Sequence, residues 1–174
     1  MRIFFATHST TTDNEEGIAS GWNDARLSPL GIQQAEQLRH RFDDNNIELI
    51  CCSDLTRAVD TVRLTFADEL PVIVDGRLRE VDYGNLNGKP VEIVDPLREG
   101  RIDEPFPNGE SYQQAIARVH DFYRELKQNH QEKVVLVVGH RVTQFGLDTL
   151  TGGRTLKECL STPFKWQPYW EYNI

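Results

Sequence analysis

Short apolar runs alternate along the chain with longer stretches in which apolar residues recur at helical spacing. The apolar runs cover residues 2–6, 47–52, 71–74 and 134–138, and the last of them has the sequence VVLVV. Unbroken β-branched runs are typical of strands that are buried on both faces of a parallel sheet. The alternation of such strands with helices predicts an α/β protein whose helices cover the faces of a central sheet.

The helical stretches cover residues 28–42, 54–67, 112–129 and 142–150. Ser28, Ser53 and Ser111 precede the first three stretches, and serine is a preferred N-cap because its oxygen accepts a first-turn N–H. The aromatic segment 164–174 (FKWQPYWEYNI) predicts a further strand at the edge of the sheet. Its rings either pack on the core or meet another subunit, and core packing is the expected arrangement.

Residues 77–108 are rich in glycine, proline and charge, and they lack clear periodicity. We interpret this segment as a small cap over one end of the sheet, so that residues 1–174 form a single domain. No internal repeat divides the chain. Trp22, in the segment SGWND, either lines a pocket under this cap or packs elsewhere.

The charge balance excludes some classes of partner. The 174 residues carry a formal net charge of −8, with a pI near 5.1. Nucleic acids and anionic membrane surfaces are bound through clustered Lys and Arg, so neither is expected as a partner. A small anionic substrate stays possible, because a few arginines that converge in one cleft set the local field.

The three cysteines, Cys51, Cys52 and Cys159, form no CxxC pair and no metal-binding spacing with histidine. We expect them to be small buried residues rather than redox or metal groups. The N-terminal apolar stretch is shorter than a signal peptide, and no run approaches the roughly 18 apolar residues of a membrane span. The expected location is therefore cytoplasmic.

Chemistry-bearing side chains follow several of the predicted strands. His8 follows the strand 2–6 after one residue, and His140 follows the strand 134–138 after Gly139. Arg57 lies in the first turn of the helix after the strand 47–52, and Glu80 comes a few residues after the strand 71–74. Ligands of open α/β sheets bind beyond the carboxyl ends of the strands. Each residue taken alone is more often a satisfied, solvated or salt-bridged group than a catalytic one, so the functional interpretation depends on all four sharing one edge.

Several motifs in this order and spacing resemble the histidine phosphatase (phosphoglycerate mutase-like) superfamily. They are His8 after an N-terminal strand with Asn14 six residues later, and then LSPLGIQQAEQL, SDLTRAVDT, LREVDYGNLNG, PNGES and VVLVVGH. The resemblance extends over nearly the whole chain. It implies a three-layer α/β sandwich with a mostly parallel central sheet.

The resemblance also implies roles for individual residues. His8 would be the nucleophile that is phosphorylated during turnover, and imidazole suits this role because it is unprotonated near neutral pH. Arg57 and His140 would hold the phosphoryl oxygens, with Asn14 as a neutral donor at the edge of the site. Glu80 would be the proton donor to the leaving group and then the base for water. The family needs no metal or cofactor.

The chain departs from the family pattern on both sides of this site. Members usually have Arg-His-Gly where this chain has Thr7-His8-Ser9, and threonine cannot replace a bidentate charged donor. Loss of one such donor typically slows the reaction about 100- to 1000-fold. Arg141 follows the second histidine, where a small residue is common. One hypothesis is that Arg141 restores the missing charge, and the other is that it points into solvent or pairs with a carboxylate.

Three functions are compatible with these residues. The short cap favours water as the phosphoryl acceptor and hence a phosphatase for a small phosphomonoester. Thr7 favours a non-catalytic protein that binds a phosphorylated ligand. A phosphoglycerate mutase-type phosphotransferase is the third hypothesis, and the short cap speaks against it. The physiological substrate and the oligomeric state are not encoded in any motif.

Overall fold

The computed structural model describes residues 1–66 and 69–174. Its strands are β1 Arg2–Thr7, β2 Ile18–Ala19, β3 Leu49–Cys52, β4 Val72–Val74, β5 Lys89–Pro90, β6 Val134–Gly139 and β7 Trp170–Asn173. Its α-helices are α1 Thr12–Glu15, α2 Pro29–Leu38, α3 Thr56–Phe66, α4 Val91–Val94, α5 Tyr112–His130, α6 Arg141–Leu150 and α7 Leu156–Ser161. Short 3-10 helices cover Arg39–Arg41, Gly76–Leu78, Gly84–Leu86 and Asp95–Arg101.

The central sheet has the strand order β4-β3-β6-β1-β7. β6 lies in the middle and pairs in parallel with both β1 and β3, so that Leu136 is opposite Phe4 on one side and Ile50 on the other. β7 pairs antiparallel with β1 at the edge. The predicted strands and the predicted edge strand in the aromatic segment are therefore confirmed.

Both faces of the sheet are covered. Alternate strand residues such as Phe5 and Val137 pack in one buried cluster with Phe122 and Tyr123 of α5. The residues between them, such as Phe4, Ile50 and Leu136, pack in a second cluster with Val62 and Phe66 of α3. Because successive strand residues point to opposite faces, two buried faces explain why the strand sequences are apolar throughout. The fold is a three-layer α/β sandwich.

The segment between β4 and α5 has more secondary structure than its sequence predicts. Within residues 77–108, the structure has β5, α4 and 3-10 turns, and β5 pairs with β2 in a separate two-stranded ribbon. Val81, Val94 and Phe106 of this segment are buried with Phe145 and Leu156 in a third cluster. These elements escaped the sequence analysis because helical periodicity is read over a window of roughly 11 to 18 residues, which is longer than any of them.

Helix ends also differ from the predictions. α2 ends at Leu38 and continues as a 3-10 turn, which still buries Phe42. Ser28 and Ser111 are N-caps as predicted. Ser53 Oγ instead accepts from the N–H of Leu55, before α3 begins, while Thr56 donates to Asp24 Oδ1. The predicted helix end at Ala67 lies outside the described residues. Among the described helices, none has the length and apolarity to cross a membrane.

Gly31 of α2 sets how closely this helix approaches the loop that follows β1. A Cβ added at Gly31 would overlap the carbonyl oxygen of Thr10. The same Thr10 oxygen accepts the N–H of Ser28 at 3.0 Å, so the loop cannot shift without loss of a hydrogen bond. Only a residue without a side chain allows this approach.

We predict that Gly31→Ala lowers the free energy of unfolding in urea by about 1–3 kcal/mol, the usual cost of overpacking, although alanine has the higher helix propensity. Gly100→Ala is the matched control, because an added Cβ there meets no atom within 4 Å. Its free energy of unfolding should stay unchanged or rise slightly. Equal effects of the two substitutions would contradict the close approach.

Candidate active site

The carboxyl ends of β1, β3 and β6 open into a cavity of about 450 Å³. It lies between this edge of the sheet, the segment 80–98 and the C-terminal segment around residues 164–166. The predicted catalytic and phosphate-binding residues all line it, namely His8, Asn14, Arg57, Glu80, His140 and Arg141, and Thr7 does so as well. The parallel register explains this convergence, since Thr7 is opposite Gly139 and the N–H of His8 donates to the Gly139 oxygen at 3.0 Å.

His8 presents one free ring nitrogen to the cavity. Its Nδ1 lies 2.8 Å from the carbonyl oxygen of Ser9, which fixes this nitrogen as the N–H donor and leaves the lone pair on Nε2. Burial, and then the charge of Arg57, lower the pKa of His8 to about 3, against a smaller opposing effect of the Ser9 carbonyl. The imidazole is therefore neutral across the physiological range, as a nucleophile requires.

His140 is the partner imidazole. It is 1% exposed, and its ring centroid lies 5.1 Å from that of His8. Burial, and then the charge of Arg57, hold its pKa well below the ordinary value. Neither ring nitrogen has a hydrogen-bond partner within the described part of the chain. Buried polar atoms are rarely left without partners, so this ring is prepared for a polar ligand.

Arg57 is buried beside the two imidazoles at the start of α3, with 2% of its surface exposed. Its Nη1 donates to the carbonyl of Asn23 at 3.0 Å, and its Nη2 donates to that of Gly21 at 2.7 Å. These neutral acceptors orient the guanidinium without cancelling its charge. A buried cation without a bound carboxylate attracts an anion strongly, because little solvent screens it.

Glu80 lies at the N-terminus of α6. Its Oε2 accepts the N–H of Arg141 at 3.2 Å, and its Oε1 accepts the N–H of Val81 at 2.9 Å and that of Val142 at 3.4 Å. The free N–H groups and the positive end of a helix dipole favour a carboxylate at this position. The helix that carries His140 at its N-terminus therefore also holds Glu80 next to it.

Arg118 of α5 fixes the main chain around Glu80, and the sequence analysis missed it. It donates to the carbonyl oxygens of Arg77, Arg79 and Glu80 at 2.7–2.9 Å, and it pairs with Glu110. These carbonyls are neighbours in the sequence, and only the tertiary structure brings Arg118 to them. Glu110 belongs to the motif PNGES, which was the one available sequence signal.

Trp22 packs against this support and does not line the cavity. Its Nε1 donates to the carbonyl of Glu80 at 2.6 Å, and its ring lies under the guanidinium of Arg79 at 4.6 Å. The packing alternative for Trp22 is thus the correct one.

Asn14 and Arg141 both have protein contacts as well as a surface on the cavity. Asn14 Oδ1 accepts the N–H of Thr11 at 3.0 Å, which caps α1. Arg141 Nη2 donates to the carbonyl of Thr162 at 2.9 Å. Its guanidinium lies between the rings of Phe145 and Phe164, 5.3 and 5.4 Å from their centroids. Arg141 therefore does not point into open solvent.

Other cavity residues carry no sequence signal. Arg98 and Asp95 come from the 3-10 helix Asp95–Arg101 and form an ion pair at 2.8 Å. Phe164 and Trp166 form part of the wall, and Trp166 is 61% exposed. The expectation that the aromatic tail packs on the core is correct for Tyr169, Trp170 and Tyr172 but wrong for Trp166. The reason is that Trp166 lies farther from β7 and is not held against the sheet, whereas Tyr169 directly adjoins the strand.

Comparisons with known proteins give one consistent result. The sequence profile of the histidine phosphatase superfamily (branch 1) matches residues 3–154. The chain is 30% identical over 152 residues to the adenosylcobalamin/alpha-ribazole phosphatase of Escherichia coli, covering 81% of this chain and 74% of that protein. It is also 30% identical over 152 residues to phosphoserine phosphatase 1 of Hydrogenobacter thermophilus, covering 82% of this chain and 72% of that protein. The solved structure of Bacillus stearothermophilus YhfR superposes with a TM-score of 0.86 at 23% identity, covering 99% of this chain and 91% of that chain.

The lowered pKa of His8 predicts its behaviour in a histidine NMR titration of the ligand-free protein. Between pH 8 and pH 5 the His8 ring signals should not shift, whereas an imidazole with the ordinary pKa of 6.5 becomes almost fully protonated over that range. A His8 titration midpoint between pH 6 and 7 would contradict the electrostatic description.

The lowered pKa of His8 also predicts how the stability of the protein changes with pH. The unfolded chain binds the proton that folded His8 excludes, so the free energy of unfolding should fall as the pH drops from 6.5 toward 3.

Proposed function

The chain belongs to the histidine phosphatase superfamily, and on that basis we propose that it is a phosphatase that hydrolyses a small phosphomonoester through a phosphohistidine on His8. The observation that carries the proposal is the neutral His8 ring on the cavity, with Nδ1 held by the Ser9 carbonyl and Nε2 without a hydrogen bond to residues 1–66 or 69–174. Two relatives, of which the match covers 74% and 72%, are named as phosphatases, which supports hydrolysis as the reaction.

The proposed reaction has two displacements. In the first, His8 Nε2 attacks phosphorus, the bond between phosphorus and the ester oxygen breaks, and Glu80 gives its proton to the departing oxygen. In the second, Glu80 takes a proton from water, the water oxygen attacks phosphorus, and the phosphorus–nitrogen bond breaks to release phosphate. The position of Glu80 beside the N-terminus of α6, close to His140, supports its role as this acid and base.

Charge on the transferred phosphoryl oxygens is the main quantity that the site has to stabilise. We assign this role to Arg57 and to the N–H of neutral His140, with Asn14 as a neutral donor at the edge. The missing partners of the His140 ring support the assignment, because a phosphoryl oxygen would satisfy one ring nitrogen.

Thr7 is the observation that favours a second function, the binding of a phosphorylated ligand without turnover. Thr7 lines the cavity where relatives of this family usually carry arginine. The hypothesis that Arg141 replaces this charge stays a prediction. After burial, the charge of Arg57 is the main cause that lowers the pKa of His8 and of His140. For Arg141, the charges that follow burial are those of Arg98, which lowers its pKa, and Glu80, which raises it.

His8→Ala should abolish phosphate release from an aryl phosphate between pH 5 and pH 8, because the nucleophile is removed. The wild-type protein should also yield an acid-labile, alkali-stable phosphoprotein when it is quenched during turnover. His40→Ala is the matched control, since His40 is exposed and belongs to no part of the cavity. Equal phosphate release from wild type and His8→Ala would refute the phosphohistidine.

Thr7→Arg should raise kcat/KM for the same aryl phosphate about 100-fold, the scale of one charged transition-state donor. A wild-type protein without activity and an active Thr7→Arg variant would show that the natural chain binds rather than hydrolyses. Thr7→Gln, which adds length without charge, separates the effect of the charge from that of the added volume.

A further inference from the structure

Arg98 and Arg141 bring two guanidinium groups to the cavity from different parts of the chain. Arg98 belongs to the 3-10 helix over the cavity, and Arg141 is the first residue of α6. The Nε atom of each is buried and has no hydrogen-bond partner in residues 1–66 and 69–174. Two buried donors on one cavity therefore lack acceptors.

The two arginines differ in how far their charge is compensated: against the effect of burial, Tyr83, Tyr112 and Asp95 raise the pKa of Arg98, whereas Arg141 has no such ion pair in the described part of the chain. Arg98 Nη2 pairs with Asp95 at 2.8 Å, and Asp95 is itself about half exposed. Arg141 Nη2 is bound to the neutral carbonyl of Thr162. In the described part of the chain, Arg141 has no carboxylate within ion-pair distance. Burial, and then the charge of Arg98, lower the pKa of Arg141, which is the expected effect of like charges that share a poorly solvated site.

The pair lies on the side of the cavity where the rest of the substrate would be. Glu80, the assigned proton donor to the leaving oxygen, contacts the N–H of Arg141. The Arg141 side chain runs onward from there to Phe164 and Thr162. A leaving group that departs past Glu80 therefore meets the two guanidinium groups next.

We infer that Arg98 and Arg141 form a second anion subsite, which binds a carboxylate or a second phosphate on the leaving group of the substrate. This inference rests on the proposed phosphatase function. The substrate class is then a small phosphomonoester with a further acidic group at its other end. Three arginines and two carboxylates line the cavity, which makes it net positive in a chain of net charge −8. A doubly anionic substrate matches that local charge.

Three compounds with the same three-carbon chain test the inference: 3-hydroxypropyl phosphate, 3-phosphonooxypropanoate and propane-1,3-diyl bisphosphate. The measurement is kcat/KM for each acidic compound divided by that for the neutral alcohol. We expect a ratio of about 10 or more for wild type, on the scale of a hydrogen bond to a charged group. The larger of the two ratios identifies the carboxylate or the phosphate as the preferred anion.

Arg98→Gln and Arg141→Gln should each reduce this ratio toward 1, whereas Asp95→Asn should increase it by removing a competing carboxylate. Arg63→Gln is the matched control, because that side chain is 72% exposed on α3. The ratio is taken within one preparation, so partial misfolding of a variant does not change it. A wild-type ratio near 1, or equal losses on all three compounds in Arg141→Gln, would overturn the subsite. The second result would place Arg141 on the transferred phosphoryl group.

Failure of the proposed function gives a different result, namely no hydrolysis of any of the three compounds. Calorimetric binding of the same compounds to His8→Ala, which cannot form the phosphohistidine, then tests the subsite alone. The subsite is supported if His8→Ala binds an acidic compound more tightly than the alcohol and if this difference disappears in the double variant that also carries Arg98→Gln. Equal binding of all three refutes it.

Discussion

The parallel pairing of β6 with both β1 and β3 is the constraint on which the site depends. The register places Thr7, Cys52 and Gly139 at one edge of the sheet, and the backbone bond from His8 to Gly139 extends the pairing by one residue. His8 and His140 therefore emerge side by side, with ring centroids 5.1 Å apart. Both residues directly follow strands that are buried on both faces.

The electrostatics of the cavity follow from this placement. Burying two imidazoles beside the Arg57 guanidinium keeps both neutral, since a proton on either would add charge in a poorly solvated space. The buried charge of Arg57 therefore favours the binding of an anion. Arg57, held by two neutral carbonyls, and His140, without ring partners, are both arranged for a ligand rather than for each other.

A second layer of contacts holds Glu80 in relation to the imidazoles. The N-terminus of α6 binds its carboxylate, while Arg118 and Trp22 bind its carbonyl oxygen. Arg118 thus links α5 to the segment that supplies the acid. The cap side adds Arg98, which reaches the cavity from an element too short to be detected by periodicity. In the proposed reaction, different parts of the chain therefore contact the transferred phosphoryl group and the rest of the substrate.

The sequence by itself determined the strands, the main helices and the residues at the strand ends, because burial on both faces demands unbroken apolar runs and caps demand specific residue types. The order of its motifs also sufficed to indicate the family. Only the tertiary structure decided that Arg118 supports Glu80, that Trp22 packs instead of lining the cavity, and that Arg98 joins Arg141. These contacts join residues far apart in the sequence, such as Glu80 with Arg141 and Arg118 with Arg77. Local patterns record only the preferences of neighbouring residues, whereas these side chains are placed by the packing of whole elements.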